Sequence, residues 1–332
     1  MKKYDCLNTL IGTKSVCIIG HVNADPDALS SMVVLKDILK SVFKISKIDL
    51  FSDSPVIGDN LLEILGSNKL YTNLSEIRVK KYEVCVVLDS PNLDRLGCFK
   101  FLYNNATKTI NIDHHATNLA IAQTNIIENS SSCCEIVYNI AKHFKYSLST
   151  EQKGKLYAGI ITDTNNFTVG NFDDKTFKIC SDITKNIDKK AIYNAFLSNN
   201  TLKTMQLLSL AINNIASFNH NQIIISHISH EEAKQQKATH EDLCKIINQL
   251  ATINTAKLTC FIEPRDNHYY VSMRAKESFD VAKIAKVHGG GGHIGAAAFL
   301  SNLSLKETEQ LILTEFREQL SSVKPKFKRI FN

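Results

Sequence analysis

Four short apolar runs of the sequence are each followed directly by acidic or histidine residues. The runs cover residues 16–20, 84–88, 109–112 and 159–162. Short apolar runs separated by helical patterns are typical of buried parallel strands, and ligands of such sheets lie beyond the carboxyl ends of the strands. We therefore expect one sheet edge to gather the residues that follow the runs, namely His21, Asp25, Asp27, Asp89, His114, His115 and Asp163.

Carboxylates and imidazoles gathered at one edge would repel one another or stay unpaired without a cation. A mixed set of histidine and aspartate ligands suits Mn²⁺ and also accepts Mg²⁺ or Co²⁺, and the number of ligands is sufficient for two ions. Two metals about 3.5–4 Å apart form a template for in-line attack of an activated water on phosphorus. The expected cofactor is therefore a pair of divalent cations, and the expected chemistry is hydrolysis at phosphorus.

The spacing of the first set of ligands restricts the local backbone. Pro26 disfavours the helical conformation at Asp25, and an extended Asp-Pro-Asp segment would place the carboxylates of Asp25 and Asp27 on one side. His21 precedes Asp25 by four residues, which span roughly 13 Å when extended. The chain must therefore bend at 22–24 if His21 and Asp25 share a metal.

The first half of the chain alternates between strand and helix patterns. Apolar residues within 29–42 follow one helical stripe, residues 48–51 form a second strand pattern, and residues 61–65 form a short helical pattern. This alternation predicts a doubly wound parallel α/β sheet. The segment from 174 to 215 has a helical pattern without proline.

The pattern changes after residue 215 to strands at 223–225, 258–262 and 269–274, with a helix from 281. We therefore expect a second, smaller α/β domain. The predicted organisation is a metal-binding domain at 1–190, a helical linker at 191–215 and a substrate domain at 216–332.

Bulk composition is that of an ordinary globular protein of two domains. The chain has 332 residues, 44% of them hydrophobic and 22% charged, and a net charge of +6. No apolar run reaches the length of a membrane span, and the N-terminus lacks the apolar core of a signal peptide. The nine cysteines include no Cys-x-x-Cys pair, which favours reduced, buried thiols in a cytoplasmic protein.

Five sequence motifs, in this order, resemble the DHH phosphoesterase superfamily. The first is His-x-x-x-Asp-x-Asp-Ala at 21–28, the second is Asp89, and the third is Asp-His-His at 113–115 with Asn118 three residues on. The fourth is Asp-Thr at 163–164. The fifth, a tetraglycine and histidine at 289–293, resembles the DHH-associated domain. The most similar subgroup is that of the bacterial oligoribonucleases and 3′-phosphoadenosine-5′-phosphate phosphatases.

The resemblance implies roles for individual residues. It implies these metal ligands: His21, Asp25, Asp27, Asp89, His114 and Asp163. Asp89 resembles the bridging carboxylate, and His115, Asp113 and Asp89 are the implied catalytic residues. Asp113 is expected to orient an imidazole. Because adjacent residues on a strand face opposite sides, we expect His114 and His115 to differ in role.

The implied substrate-binding residues lie in the second domain and are Arg274, Gly290, Gly291, Gly292 and His293. Glycines let backbone N–H groups approach a phosphate, often at a helix N-terminus, and an arginine can bind a phosphate through two hydrogen bonds. Ser30 and Ala298 stand where the family has glycine, so we expect differences in substrate fit.

The implied substrates are very short single-stranded oligoribonucleotides, released as mononucleotides, and 3′-phosphoadenosine 5′-phosphate, released as AMP. No membrane partner is expected, and a homodimer stays open. Of the adjacent residues Tyr269 and Tyr270, only one ring can face the substrate, which favours substrates of two to four nucleotides.

Three alternatives stay open at the level of sequence. One is hydrolysis of linear or cyclic dinucleotides, and another is hydrolysis of pyrophosphate, against which the Gly-Gly-Gly-Gly-His motif argues. The third is a catalytically idle nucleotide-binding regulator, against which the complete set of metal motifs argues. A dehydrogenase is disfavoured because no Gly-x-Gly-x-x-Gly follows the first strand.

Overall fold

The chain divides into two compact units, residues 1–199 and 200–332. The computed structural model describes the backbone of residues 3–54, 57–77, 81–198, 200–276 and 279–322. The side chains of Glu241 and His293 lie outside this description. No helix among the described residues has the length and apolar character needed to cross a membrane.

The first unit is built on six parallel strands in the order β3-β2-β1-β4-β5-β6. They are β1 (Ser15–Ile19), β2 (Lys47–Phe51), β3 (Leu70–Tyr71), β4 (Val84–Leu88), β5 (Lys108–Asp113) and β6 (Thr124–Ile127). The strand order reverses between β1 and β4, because β2 and β3 follow on one side and β5 and β6 on the other. Ligands of open α/β sheets bind at such a switch point.

In the described part of this unit, seven helices accompany the sheet: α1 (Pro26–Phe43), α2 (Asp59–Leu65), α3 (Lys100–Asn105), α4 (Cys133–His143), α5 (Thr150–Asp163), α6 (Asp174–Ile183) and α7 (Lys189–Phe196). Short 3-10 helices cover Asp5–Leu10, Leu74–Glu76 and Leu93–Phe99. The larger hydrophobic core packs α1, α4 and α5 against one face of the sheet. A smaller core around Phe51, Tyr82 and Phe99 covers the other face, as expected for a doubly wound sheet.

One of the four predicted strands is wrong. Residues 159–162 form the last turn of α5, and Asp163 ends that helix instead of a strand. Ser149 caps the helix in a reciprocal capping box with Gln152. Because periodicity over four apolar residues cannot separate a strand from a buried helix, the cap was the more informative signal.

The second unit contains a mixed sheet in the order β11-β12-β10-β9-β8-β7. Its strands are β7 (Ala216–Phe218), β8 (Ile223–His227), β9 (Leu258–Arg265), β10 (His268–Ala275), β11 (Gly291–His293) and β12 (Ala296–Ser301). Only β8 and β9 pair in parallel among these described strands. The predicted strands at 223–225, 258–262 and 269–274 are confirmed.

Helices cover both faces of this second sheet: α8 (Leu202–Asn213), α9 (His230–Gln235), α10 (His240–Leu243), α11 (Ile246–Leu250), α12 (Val281–Val287) and α13 (Leu305–Ser322). Phe261 packs with α8 and α11 on one face, whereas Cys260 and Ile262 pack with α12 and α13 on the other. The alternation along β9 therefore sorts its side chains between two cores. The predicted fold class, a doubly wound sheet with a second α/β domain, is confirmed.

Candidate active site

Asp89 lies directly after β4, at the centre of a cluster of histidine and aspartate side chains. Its φ of 55° is in the left-handed region, which is uncommon for a residue other than glycine and concentrates at functional sites. One carboxylate oxygen, Oδ1, lies 3.3 Å from Nε2 of His114, and the other, Oδ2, lies 3.4 Å from Nε2 of His21. The two oxygens of Asp89 therefore face two different imidazoles.

The loop after β1 brings His21 and Asp25 together. Asn23 has a φ of 54°, and Nε2 of His21 lies 3.7 Å from Oδ2 of Asp25. The backbone N–H of Val22 donates to the carbonyl of Arg95 at 2.7 Å, which ties the loop to the segment after β4. The predicted bend at 22–24 is confirmed.

The structure changes the prediction for the Asp-Pro-Asp segment. Asp25 is extended, as expected for a residue before proline, and it caps α1 by accepting a hydrogen bond from the N–H of Ala28. The helix α1, however, already begins at Pro26. Asp27 is therefore helical, and the prediction that the extended conformation continues through it is wrong. The oxygens of Asp27 accept the N–H groups of Cys133 and Cys134 at 2.8 and 2.9 Å, at the N-terminus of α4.

Asp163 reaches the same cluster from the C-terminus of α5. Its Oδ2 lies 3.5 Å from Nε2 of His114. The helix dipole gives a C-terminus partial negative charge, so this position favours a cation. Nδ1 of His114 lies 3.3 Å from the carbonyl of Ser130, and Nδ1 of His21 lies 2.8 Å from that of Val22. Donation from Nδ1 of His114 leaves its Nε2 able to bind a metal.

Among the described residues, four overlapping groups of side chains each offer ligand atoms within 4.8 Å of one another. They are His21, Asp25 and Asp89; Asp27, His114 and Asp163; Asp27, Asp89 and Cys133; and Asp89, Asp113, His114 and His115. All six predicted metal ligands fall within these groups, and Asp89 belongs to three of them. The donor atoms and the orientation of the imidazoles fit divalent cations.

The electrostatics show an excess of negative charge in a buried place. Burial and the charge of Asp89 raise the pKa of Asp27 to about 6, and burial raises the pKa of Asp163 well above its usual value. Burial opposes the charged form of His21, but hydrogen bonds that its imidazole donates to Asp25 and Asp89 outweigh burial and raise the pKa of His21 to about 10. The cluster therefore favours bound positive charge.

Asp113, which was predicted to orient an imidazole, contacts that of His115. Nδ1 of His115 lies 2.7 Å from Oδ1 of Asp113, and Asn118 donates from Nδ2 to the other oxygen of Asp113 and to Asn111. Because β5 ends at Asp113, His114 and His115 lie beyond the strand, and both imidazoles face Asp89. The expectation that they face opposite sides is therefore wrong, although their hydrogen-bond partners differ.

Arg95 is a site residue that the sequence did not reveal. It lies in the 3-10 helix after β4, and its Nη2 lies 3.1 Å from Nδ1 of His21. A guanidinium beside a cluster of potential metal ligands is placed to bind a phosphate oxygen. An arginine in a polar segment carries no signal of its own, so only the fold could identify it.

Gly159 and Cys133 are further residues that the sequence analysis placed in no site. A Cβ at Gly159 would lie 2.9 Å from Oδ1 of Asp27 and 2.3 Å from Sγ of Cys134, so only glycine lets α5 approach this closely. Sγ of Cys133, expected only to pack in the core, lies 3.8 Å from Oδ1 of Asp89. Burial raises the pKa of the Cys133 thiol well above its usual value.

In the second unit, Arg274 lies on β10 and is half-buried. Its Nε donates to Oδ1 of Asn248 at 3.0 Å, and its Nη1 donates to the carbonyl of Met273 at 3.0 Å. Burial lowers its pKa. Within the described part of the chain no carboxylate forms an ion pair with it.

The predicted glycine run enters a strand, β11, and does not begin a helix. A Cβ at Gly290 would lie 2.1 Å from the carbonyl oxygen of Ala298, and one at Gly292 would lie 2.4 Å from that of Ala296, whereas Gly291 faces open space. Strand pairing therefore requires two of the three glycines. Ala296 pairs with His293 on one side and Arg274 on the other, so the backbone register brings these two positions together.

The two α/β units and the buried histidine–aspartate cluster define a hydrolase that acts on phosphoester bonds. Residues 15–162 match the DHH family N-terminal domain, and residues 220–322 match the DHHA1 domain. The chain belongs to the DHH family and carries a DHHA1 domain.

Relatives match along nearly the whole chain. The Streptococcus mutans protein named probable bifunctional oligoribonuclease and PAP phosphatase NrnA is 27% identical, over 90% of this chain and 92% of its own length. The Bacillus subtilis bifunctional oligoribonuclease and PAP phosphatase NrnA is 23% identical, over 88% and 90%. The structure of an exopolyphosphatase-related protein from Bacteroides fragilis shares the fold, with a TM-score of 0.86 and 22% identity over 95% and 96%.

Proposed function

We propose that this protein hydrolyses short oligoribonucleotides to mononucleotides and 3′-phosphoadenosine 5′-phosphate to AMP. The names of the Streptococcus mutans and Bacillus subtilis relatives support these substrates. The observation that carries the proposal is the position of Asp89, whose two oxygens face His21 and His114 in two groups of potential metal ligands.

Two divalent cations are proposed as cofactors, with Mn²⁺ favoured and Mg²⁺ or Co²⁺ accepted. The first would be held by His21, Asp25 and Asp89, and the second by Asp27, His114 and Asp163 with Asp89 shared between them. Such ions, when bound, lower the pKa of water and neutralise charge on phosphate oxygens. Clustered carboxylates of different helices and strands support this assignment.

The remaining residues bind substrate and handle protons. His115, held at Nδ1 by Asp113, is proposed to exchange a proton with the reacting phosphate or leaving group. Arg274, Gly290, Gly291, Gly292 and His293 are proposed to hold the substrate phosphate. The proposed domains are 1–190 for catalysis, 191–215 as a linker and 216–332 for substrate, and the unit boundary at 199 and 200 lies inside this linker.

Product release from a panel of substrates tests the proposal. The panel contains RNAs of one to ten nucleotides, 3′-phosphoadenosine 5′-phosphate, and linear and cyclic dinucleotides, each with Mn²⁺ and with chelator. We expect hydrolysis of the short RNAs and of 3′-phosphoadenosine 5′-phosphate only with metal. Turnover confined to cyclic dinucleotides, or tight binding without turnover, would select the alternative enzyme or the idle regulator.

The variant Asp89→Asn keeps the shape of the side chain and removes its charge. We expect the catalytic rate to fall by at least about a thousandfold, because a neutral amide with a single oxygen replaces the carboxylate that both cation sites would share. Asp94→Asn is the matched control, since the side chain of Asp94 is 90% exposed and pairs only with Lys100 among the described residues. Equal activity of the two variants would remove Asp89 from the mechanism.

A further inference from the structure

A second group of charged and aromatic side chains lies on the face of β10 that carries Arg274. Tyr270 precedes Arg274 by four residues, so both side chains project from the same face of the strand. At the usual rise of a strand their Cα atoms are roughly 13 Å apart. The register places Tyr270 opposite Glu263 and Arg274 opposite Thr259.

Glu263 anchors this group. It is fully buried, and its Oε1 lies 2.5 Å from Nδ1 of His240. Its second oxygen, Oε2, is buried and has no hydrogen-bond partner among the described residues, so within that part of the chain the carboxylate can accept one more hydrogen bond. Nη1 of Arg265 lies 3.5 Å from Nε2 of His240. Together these contacts fix the imidazole of His240 next to a guanidinium.

Tyr270 lies against both of these groups. The ring of His240 meets it edge to face, with centroids 5.5 Å apart, and Cζ of Arg265 lies 5.4 Å from its centroid. The side chain of His240 is 44% exposed, so the group reaches solvent. We call Glu263, His240, Arg265 and Tyr270 the Tyr270 cluster.

We propose that the Tyr270 cluster is a nucleotide subsite, which binds a second nucleotide of an oligoribonucleotide whose phosphate is held at Arg274. An aromatic ring beside a guanidinium is common at sites for single-stranded nucleic acid, since the ring stacks on a base and the guanidinium binds a phosphate. This inference rests on the proposed function.

The proposed subsite would affect the two proposed substrates differently. An oligoribonucleotide extends from Arg274 and reaches the Tyr270 cluster, about four residues along the strand. 3′-Phosphoadenosine 5′-phosphate has a single nucleoside and therefore offers no second base to the cluster. The cluster therefore contributes to binding of oligoribonucleotides and leaves hydrolysis of 3′-phosphoadenosine 5′-phosphate unaffected.

Steady-state kinetics on a trinucleotide and on 3′-phosphoadenosine 5′-phosphate test this subsite. For Tyr270→Ala we expect kcat/KM on the trinucleotide to fall about tenfold, mainly through KM, because stacking on one base is lost. Tyr270→Phe keeps the ring and should retain the activity. His240→Ala should lower trinucleotide activity as well, whereas His220→Ala, an exposed histidine between β7 and β8, is the matched control.

Equal losses on both substrates, or no loss on the trinucleotide, would overturn the subsite. Binding of a fluorescent trinucleotide to the full chain in chelator separates this outcome from failure of the proposed function. Tyr270→Ala should raise its Kd about tenfold even if the protein hydrolyses neither substrate. An unchanged Kd, together with unchanged kinetics, would show that the cluster has only a structural role.

Discussion

Arg95 shows at the scale of one residue how the fold adds chemistry that the motifs do not contain. Its backbone carbonyl holds the loop that carries His21, while its guanidinium lies 3.1 Å from the imidazole of that residue. A fixed cation next to the potential metal ligands would bind the phosphate group and reduce its charge during hydrolysis.

We expect Arg95→Gln to lower kcat/KM on short RNAs by about ten- to a hundredfold, the usual effect of losing one charge-assisted hydrogen bond. The amount of bound Mn²⁺ should not change, because no ligand is removed. Metal analysis and kinetics measure both quantities, with Lys100→Gln as the control, a cation at the start of α3 that pairs with Asp94. Loss of bound metal would show that Arg95 acts on the His21 loop instead.

The protonation of His21 predicts how metal affinity depends on pH. With its pKa raised to about 10, His21 is protonated at neutral pH in the metal-free protein and must lose that proton to bind a metal. Its contribution to folding stability is present below about pH 6.5 and is lost as the pH rises through about 10.

Affinity for Mn²⁺ should therefore rise between pH 6 and 8, by about tenfold per pH unit for each proton released. Calorimetric titration in two buffers with different ionisation enthalpies measures the number of protons. Affinity that is independent of pH, with no proton release, would contradict the assignment of His21 as a ligand.

At the scale of elements, the close contact of α5 with Asp27 determines how Asp27 and Asp163 come together in the cluster. Gly159 lets α5 carry Asp163 towards the N-terminus of α4, where the two backbone N–H groups hold Asp27. We expect Gly159→Ala to destabilise the fold by about 1–3 kcal/mol through overpacking and to weaken metal binding.

Gly154→Ala on the same helix is the control for that variant. Its Cβ would lie 3.5 Å from Cδ1 of Ile192, an ordinary contact, so the helix should be stabilised by about 0.5–1 kcal/mol. Thermal unfolding and the amount of bound metal, measured for both variants, test whether Gly159→Ala destabilises the fold and weakens metal binding. A Gly159→Ala protein with normal stability and normal metal content would show that α5 adjusts freely.

The sequence predicted the residues of the site better than the elements that carry them. Asp163 was predicted to lie in the cluster because it follows residues 159–162, which were predicted to form a strand. These residues form the end of a helix instead, and this helix also brings Asp163 to the cluster. The position of Asp27 was predicted from an extended backbone, whereas Asp27 lies in the first turn of α1, which begins at Pro26. Polar residues after buried runs are visible in a sequence, whereas Arg95 and Gly159 depend on contacts between segments distant in the chain.

At the scale of the whole molecule, the proposed function assigns substrate binding to the second unit and catalysis to the first. Arg274 belongs to the second unit and the potential metal ligands belong to the first. We expect Arg274→Ala to raise KM more than it lowers kcat, because a phosphate contact remote from the reacting atoms is made in both the ground and transition states. Bound metal should stay constant, and a variant that loses metal while KM is unchanged would contradict this division.

The dependence of rate on substrate length follows from the same arrangement. Arg274 and Tyr270 lie on one face of β10, roughly 13 Å apart, and the sequence has no long basic segment with interleaved aromatic residues, the usual means of tracking single strands. One stacking platform and one phosphate-binding arginine fit about two to four nucleotides.

Initial rates at fixed Mn²⁺ and low salt should therefore be highest for RNAs of about two to four nucleotides and fall steeply for longer strands. They should be negligible on duplexes, because a paired base cannot stack on Tyr270. Low salt makes the test of this length dependence stricter, since it strengthens the contacts of long strands with any basic surface. Processive digestion of a strand of about twenty nucleotides at the dinucleotide rate would require a groove that extends beyond the Tyr270 cluster, and would identify a single-strand exonuclease instead.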